Sequence, residues 1–136
     1  MIKNILIASD HAGYSLKQLI VNNCNAIDLG TNSPDTSVDY NDFADKLVNL
    51  VLMNDSYGIL ICKTGIGMSI AANRYKGIRA ALCTNPQIAT ITREHNNANI
   101  LVLPADVSNP LEIVNMFCNT EFSEEERHIR RIKKLG

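Results

Sequence analysis

Apolar residues in this chain come as short unbroken runs separated by stretches of helical spacing. Ile5-Leu6-Ile7-Ala8 and Gly58-Ile59-Leu60-Ile61-Cys62 read as buried strands. Ala26 to Leu29, closing at Gly30, reads as a shorter strand, and Ile78 to Cys83 and Asn99 to Leu103 as two more. Between the strands, Leu16, Leu19 and Ile20, and then Phe43, Leu47, Leu50 and Val51, recur as the apolar face of a helix would. Met68 to Arg74 predicts a further helix, with its stop at Gly77. Asn85-Pro86 opens a helix running to about Glu94, Asn capping it and Pro taking the first position. Asn109-Pro110 opens another, whose Ile113, Val114 and Phe117 point inward. The pattern is a βα unit repeated five times. It predicts the α/β class: a three-layer, doubly wound (Rossmann-like), five-stranded parallel sheet in one domain over residues 1–136. Ligands of such sheets bind at the carboxyl ends of the strands, where Asp10-His11 and Cys62-Lys63-Thr64-Gly65 both fall. The polar loop from Thr31 to Tyr40 is long enough to suggest a functional role.

A last helix departs from the alternation. Ser123-Glu124-Glu125-Glu126 reads as a capping box, and Lys133-Lys134 put positive charge in the final turn, so a helix is expected over about 123–134. Its apolar residues are few, Ile129, Ile132 and Leu135, which suggests packing on a partner subunit. Arg127 and Arg131 are four apart and share a face. Such a guanidinium pair suits a phosphate, although a solvated amphipathic tail would carry the same residues.

Composition narrows the classes. The 136 residues are 46% apolar and 20% charged, with a formal net charge of -1, values of a soluble globular domain large enough for a proper core. The charge and a pI near 6.3 give no nucleic-acid footprint. The first apolar run meets Ser9-Asp10-His11 too soon for a signal peptide or membrane span. Cys24, Cys62, Cys83 and Cys118 have no paired spacing, as suits reduced thiols rather than a disulfide framework or zinc site. A cytoplasmic protein with no nucleic-acid or membrane partner is expected.

The candidate chemistry centres on Cys62. A strand, a turn containing Gly65 and Gly67, and a helix bring backbone N–H groups together where an anion would bind, and glycine lets a ligand approach the backbone. A thiol at that position could act as base or nucleophile; packing is the alternative for a cysteine that ends an apolar strand.

Six motifs in register carry a resemblance over nearly the whole chain. They are Ser9-Asp10-His11-Ala12-Gly13, Asp39-Tyr40, the segment from Cys62 through Thr64, Gly65, Gly67 and Ser69 to Asn73, Gly77-Ile78-Arg79-Ala80, Arg93-Glu94-His95-Asn96 with Asn99, and Arg127-His128 with Arg131. Together they resemble the type B ribose-5-phosphate isomerases, whose superfamily includes galactose-6-phosphate and allose-6-phosphate isomerases. The resemblance implies interconversion of D-ribose 5-phosphate and D-ribulose 5-phosphate in the pentose phosphate pathway, through an enediolate and without metal or cofactor. It further implies that Cys62 moves the proton between C1 and C2, with Thr64 assisting transfer between the oxygens, and that His95 with Asp10 opens the furanose ring. Lys63, Gly65, Ile66, Gly67, Ser69 and Asn96 would bind the sugar and the enediolate, and His11, Arg127 and Arg131 the phosphate. Two positions depart from the family pattern: Lys63 where many relatives have glycine, and Asp106 where many have a phosphate-binding arginine. Topology adds an expectation of its own. Cys62 and Asp10 follow strands whereas His95 and Asn96 precede one, so a homodimer or tetramer is expected to share its sites between subunits. A subunit of a hexose-6-phosphate isomerase and a non-catalytic phosphate-binding module are the rival readings.

Overall fold

The computed structural model describes residues 3–136. Its elements run β1 Ile5–Ser9, α1 Tyr14–Asn23, β2 Ala26–Asp28, α2 Tyr40–Asn54, β3 Tyr57–Cys62, α3 Ile66–Ala72, β4 Ala80–Leu82, α4 Pro86–Asn96, β5 Ile100–Pro104, α5 Pro110–Asn119 and α6 Glu126–Leu135. All strand pairs are parallel, and the order across the sheet is β2-β1-β3-β5-β4. The expected doubly wound sheet with an added C-terminal helix is what the chain adopts. The chain skips a place between β3 and β4, then returns to insert β5. Cys62 therefore sits in register with Pro104.

Strand side chains alternate between two buried layers, as period-two geometry requires. Ile7, Ile59, Ile61, Leu101 and Leu103 pack with Leu16, Ile20, Ala89, Ile113 and Phe117 of α1, α4 and α5. Leu6, Ala8, Leu60, Cys62, Ile100 and Val102 pack with Leu47, Val48, Val51 and Met68 of α2 and α3. Apolar residues on both faces explain why these strands read as unbroken runs.

Several local expectations are corrected. Leu19 is 43% exposed, and the buried side of α1 is Leu16, Lys17 and Ile20. Lys17 goes inward because its ammonium pairs with Asp28 Oδ2 at 2.8 Å and bonds Gln18 Oε1 at 2.9 Å. Removing Asp28 would leave that ammonium buried without its counter-ion, at a cost of about 3 kcal/mol. The fourth strand is shorter than the run from Ile78 to Cys83 suggested. α3 also starts and stops two residues early, because the Asn73 amide both accepts from Ala80 N and donates to Ala80 O, holding the next strand in place of another helical turn. α4 continues two residues past Glu94 and ends at Asn97, in the left-handed region. Asn85 caps it as expected, accepting from Ile88 N at 2.9 Å, whereas Asn109 makes no side-chain cap. The capping box at Ser123 does not form. Ser123 Oγ instead donates to Glu94 O at 2.7 Å, which ties the segment to the end of α4 and delays α6 to Glu126.

Candidate active site

The carboxyl edge of β1 and β3 gathers the first group of candidates. Asp10 N donates to Ile61 O at 3.2 Å, and Asp10 Oδ1 accepts from Gly13 N at 3.0 Å, which closes a tight loop against β3. Gly13 is required there by contact, since a Cβ would lie 2.7 Å from Ile61 Cγ2 and 2.8 Å from Ile61 O. Asp10 and Cys62 are consequently both buried at this edge, 7% and 5% exposed. His11 Nδ1 accepts from Val38 N at 3.2 Å, which commits that nitrogen as an acceptor and leaves Nε2 as the N–H donor. The long polar loop thus holds a candidate phosphate ligand.

After Cys62 the chain turns through Gly65, at φ 79, which passes so close to β4 and β5 that a Cβ would meet Leu82 Cδ1 at 2.5 Å. Thr64 Oγ1 accepts from Ile66 N at 3.2 Å, so the hydroxyl retains its proton for another partner. The N–H groups of Gly67 and Met68 lie in the first turn of α3, where a helix offers them no acceptor. Gly67 is covered by the Tyr40 ring, whose Cζ would be 2.6 Å from an added Cβ. Lys63 and Ile66 are exposed, and Ser69 is half-buried on α3. Asp106 lies two residues past Pro104; Ala105 N donates to both Cys62 O and Lys63 O, so both departures from the family pattern flank Cys62.

The second group assembles at the opposite, amino edge. α4 runs antiparallel to the strands and ends there, bringing His95 and Asn96 against α6. His95, Asn96, His128, Arg131 and Ile132 line a cavity of ≈ 240 Å³. Arg93 rivets this corner. Its buried guanidinium donates to Thr120 O, Asn97 Oδ1 and Ala98 O and lies over the Tyr57 ring at 4.8 Å. The His95 and His128 rings stack with centroids 4.4 Å apart and planes at 18°. Arg131 is exposed with no ion pair among the described residues, whereas Arg127 pairs with Glu125 Oε1 at 2.8 Å. That guanidinium holds the Glu125 carboxyl below its usual pKa. A larger cavity of ≈ 960 Å³ lies between the edge of β4, α4 and the end of α6. Cys62 lines neither.

Two residues absent from the expected site sit within these clusters, Tyr40 and His128. Both fall in the motifs read from the sequence, but only the close approach at Gly67 and the stack on His95 show what they touch. Burial pushes the Cys83 thiol up to about 12. Cys118 is likewise pushed up to about 12, by burial first and then by Cys24. Neither suits proton transfer at neutral pH. Among the described residues no three His, Cys, Asp or Glu side chains converge as a metal site requires.

The family model described as Ribose/Galactose Isomerase matches residues 5–135. The chain belongs to this family. Its fold superposes on a ribose 5-phosphate isomerase from Thermotoga maritima with a TM-score of 0.93 and 49% identity, covering 98% of this chain and 97% of that one. Against ribose-5-phosphate isomerase B of Mycoplasma genitalium, solved with bound ribulose-5-phosphate, the TM-score is 0.88 and the identity 42%, covering 97% and 93% of the two chains. Ribose-5-phosphate isomerase B of Escherichia coli is 36% identical over 98% of this chain and 94% of its own. In this Ribose/Galactose Isomerase chain, the motifs read from the sequence occupy two opposite edges of one sheet. Asp10, His11, Cys62, Thr64 and the glycine turn come together at one edge, His95, Asn96 and Arg131 at the other. No helix among the described residues is long and apolar enough to cross a membrane.

Proposed function

We infer that the protein is an aldose-ketose isomerase that interconverts D-ribose 5-phosphate and D-ribulose 5-phosphate through an enediolate. The observation that carries this is the convergence of Asp10, Cys62 and the Gly65–Gly67 turn at one sheet edge, in a chain that superposes over nearly its whole length on a relative holding ribulose-5-phosphate. Cys62 takes the proton from C2 of the open-chain aldose and returns it to C1. Thr64 Oγ passes a proton between O1 and O2. The backbone N–H groups at Gly67 and Met68 face the negative charge that develops on the enediolate, as donors that need no reorganisation. Lys63, Ile66 and Ser69 line the sugar, and His11 Nε2, Arg127 and Arg131 hold the phosphate. Arg127 exchanges its Glu125 partner for the phosphate.

Before that, the C1–O4 bond of the furanose breaks as O4 takes a proton and the C1 hydroxyl gives one up, His95 and Asp10 being the groups for these transfers. β5 has five residues and spans about 17 Å, too far for His95 at the amino edge to reach a sugar at the carboxyl edge of its own chain. The working site is therefore shared. One subunit brings Cys62 and Asp10, and a second copy brings His95, Asn96 and the α6 arginines. The four cysteines, none in a disulfide, suit a cytoplasmic enzyme.

The test is an isomerase assay on the wild type, Cys62→Ala, His95→Ala and a refolded mixture of the two variants. Each variant alone is expected to be inactive and the mixture to regain activity, because each mixed dimer holds one intact site. An active Cys62→Ala enzyme would remove the proposed base, and no recovery after proven subunit exchange would make the site intramolecular. The family description also covers galactose, so hexose 6-phosphates belong in the same assay. An inactive wild type that still binds phosphopentose would leave a binding module.

A further inference from the structure

His128 has no part in the reaction just described, yet it is 5% exposed on a helix whose other residues are mostly open to solvent. Its Nε2 is buried without a hydrogen bond, and the nearest carboxylate oxygen, Glu125 Oε2, is 3.5 Å away and out of line for one. An unpaired buried nitrogen costs free energy, so the ring is held there by its face rather than by its polar atoms. That face lies on His95, with centroids 4.4 Å apart and planes 18° from parallel.

Catalytic imidazoles are ordinarily oriented by a hydrogen bond that the ring N–H doing no chemistry donates to a third group. Among the described residues, no group hydrogen-bonds the His95 side chain. The stack is what fixes its plane. We propose that His128 is a positioning residue that holds the His95 imidazole, by ring stacking, in the orientation needed to open the furanose. The proposal rests on the reading of His95 as the ring-opening group. The stacked ring must also be neutral, or it would repel His95 whenever His95 carries its proton. Burial first, and then Arg127, His95 and Arg131, lower the His128 pKa against the opposing pull of Glu125.

Substrate chemistry separates positioning from a merely structural role. Ribose 5-phosphate is mostly furanose and must be opened, whereas ribulose 5-phosphate has its O5 esterified and stays open-chain. Ring opening is thus required to convert the aldose but not to exchange the C1 proton of the ketose with solvent. Both rates are measured by NMR in deuterium oxide, with wild type and His95→Ala as references. His128→Ala is expected to lose about tenfold or more in kcat on ribose 5-phosphate while C1 exchange of ribulose 5-phosphate stays within about twofold. Its KM and its inhibition by inorganic phosphate should also stay within about twofold, since Arg127 and Arg131 remain. His128→Phe, which keeps a flat ring on His95, should recover most of the lost rate. Equal losses in both reactions, a rise in KM that Phe does not repair, or an aldose rate in His128→Ala equal to wild type would each overturn the proposal while leaving the isomerase reading intact. An inactive wild type would overturn that reading and the proposal with it. A His95→Ala enzyme unimpaired on the aldose would remove the ring-opening role and the proposal together, leaving the isomerase.

Discussion

Gly13→Ala tests whether the active-site edge depends on a contact between the β1 loop and β3. The backbone at Gly13, with φ -90 and ψ 1, is open to any residue, so alanine there brings no conformational strain and restricts the unfolded chain. Local reasoning would therefore make the substitution stabilising by about 0.4–1 kcal/mol. The tertiary contact reverses the sign. The added Cβ would lie 2.8 Å from Ile61 O, which cannot yield because it already accepts from Asp10 N inside the sheet. Ordinary contact begins at 3.4 Å, so the loop must retreat by about 0.6 Å. Overpacking of this size costs about 1–3 kcal/mol and lowers Tm by about 3–10 °C. The same retreat pulls on the 3.0 Å bond between Gly13 N and Asp10 Oδ1 and moves the Asp10 carboxylate relative to Cys62. Misplacement of a reacting group by part of an ångström costs about 10- to 100-fold in kcat, and because His11 sits in the same loop, its grip on the phosphate weakens and KM rises as well. Thermal melts and steady-state isomerase kinetics, the latter well below Tm, measure the two effects separately. Unchanged Tm and kcat would refute the packing of this loop on β3. A lowered Tm with full kcat would keep the packing and remove Asp10 from the chemistry.

Three further outcomes are expected. Arg131→Ala should raise KM for the phosphopentose by about tenfold with a smaller fall in kcat, and Asp106→Arg should lower KM if position 106 faces the phosphate; steady-state kinetics on both variants decide it. Because the folded-state pKa of His128 lies below the ordinary value, the unfolded chain binds a proton that the folded chain refuses as pH falls. Its contribution to stability is complete above about pH 6.5 and is lost on acidification below it, so Tm between about pH 7.5 and 5.5 should fall more steeply in the wild type than in His128→Phe. Parallel Tm profiles would mean that His128 titrates alike in both states.

Periodicity settled the elements because it reports what a short segment must bury. Runs such as Ile59-Leu60-Ile61 are apolar on both sides of a pleat and have no stable place except a sheet covered on both faces. Asn85-Pro86 acts within one turn of its own helix, so its cap was legible, and so was the placement of Cys62 on the same sheet edge as Asp10, since one ends and the other follows a strand of a parallel sheet. The choices made by polar side chains were not legible, because each depends on a partner distant in sequence. Lys17 is buried because Asp28 waits on the neighbouring strand, and Leu19 is exposed as a result. Ser123 leaves its capping box because the Glu94 carbonyl is within reach. His128 meets His95 only once α6 has docked on the end of α4. Spacing reveals which face of an element needs covering. Which group satisfies each hydrogen bond, and which ring lies on which, is decided by the order of strands and the docking of helices, where energies of a kcal/mol or so per contact choose among partners that the local sequence cannot see.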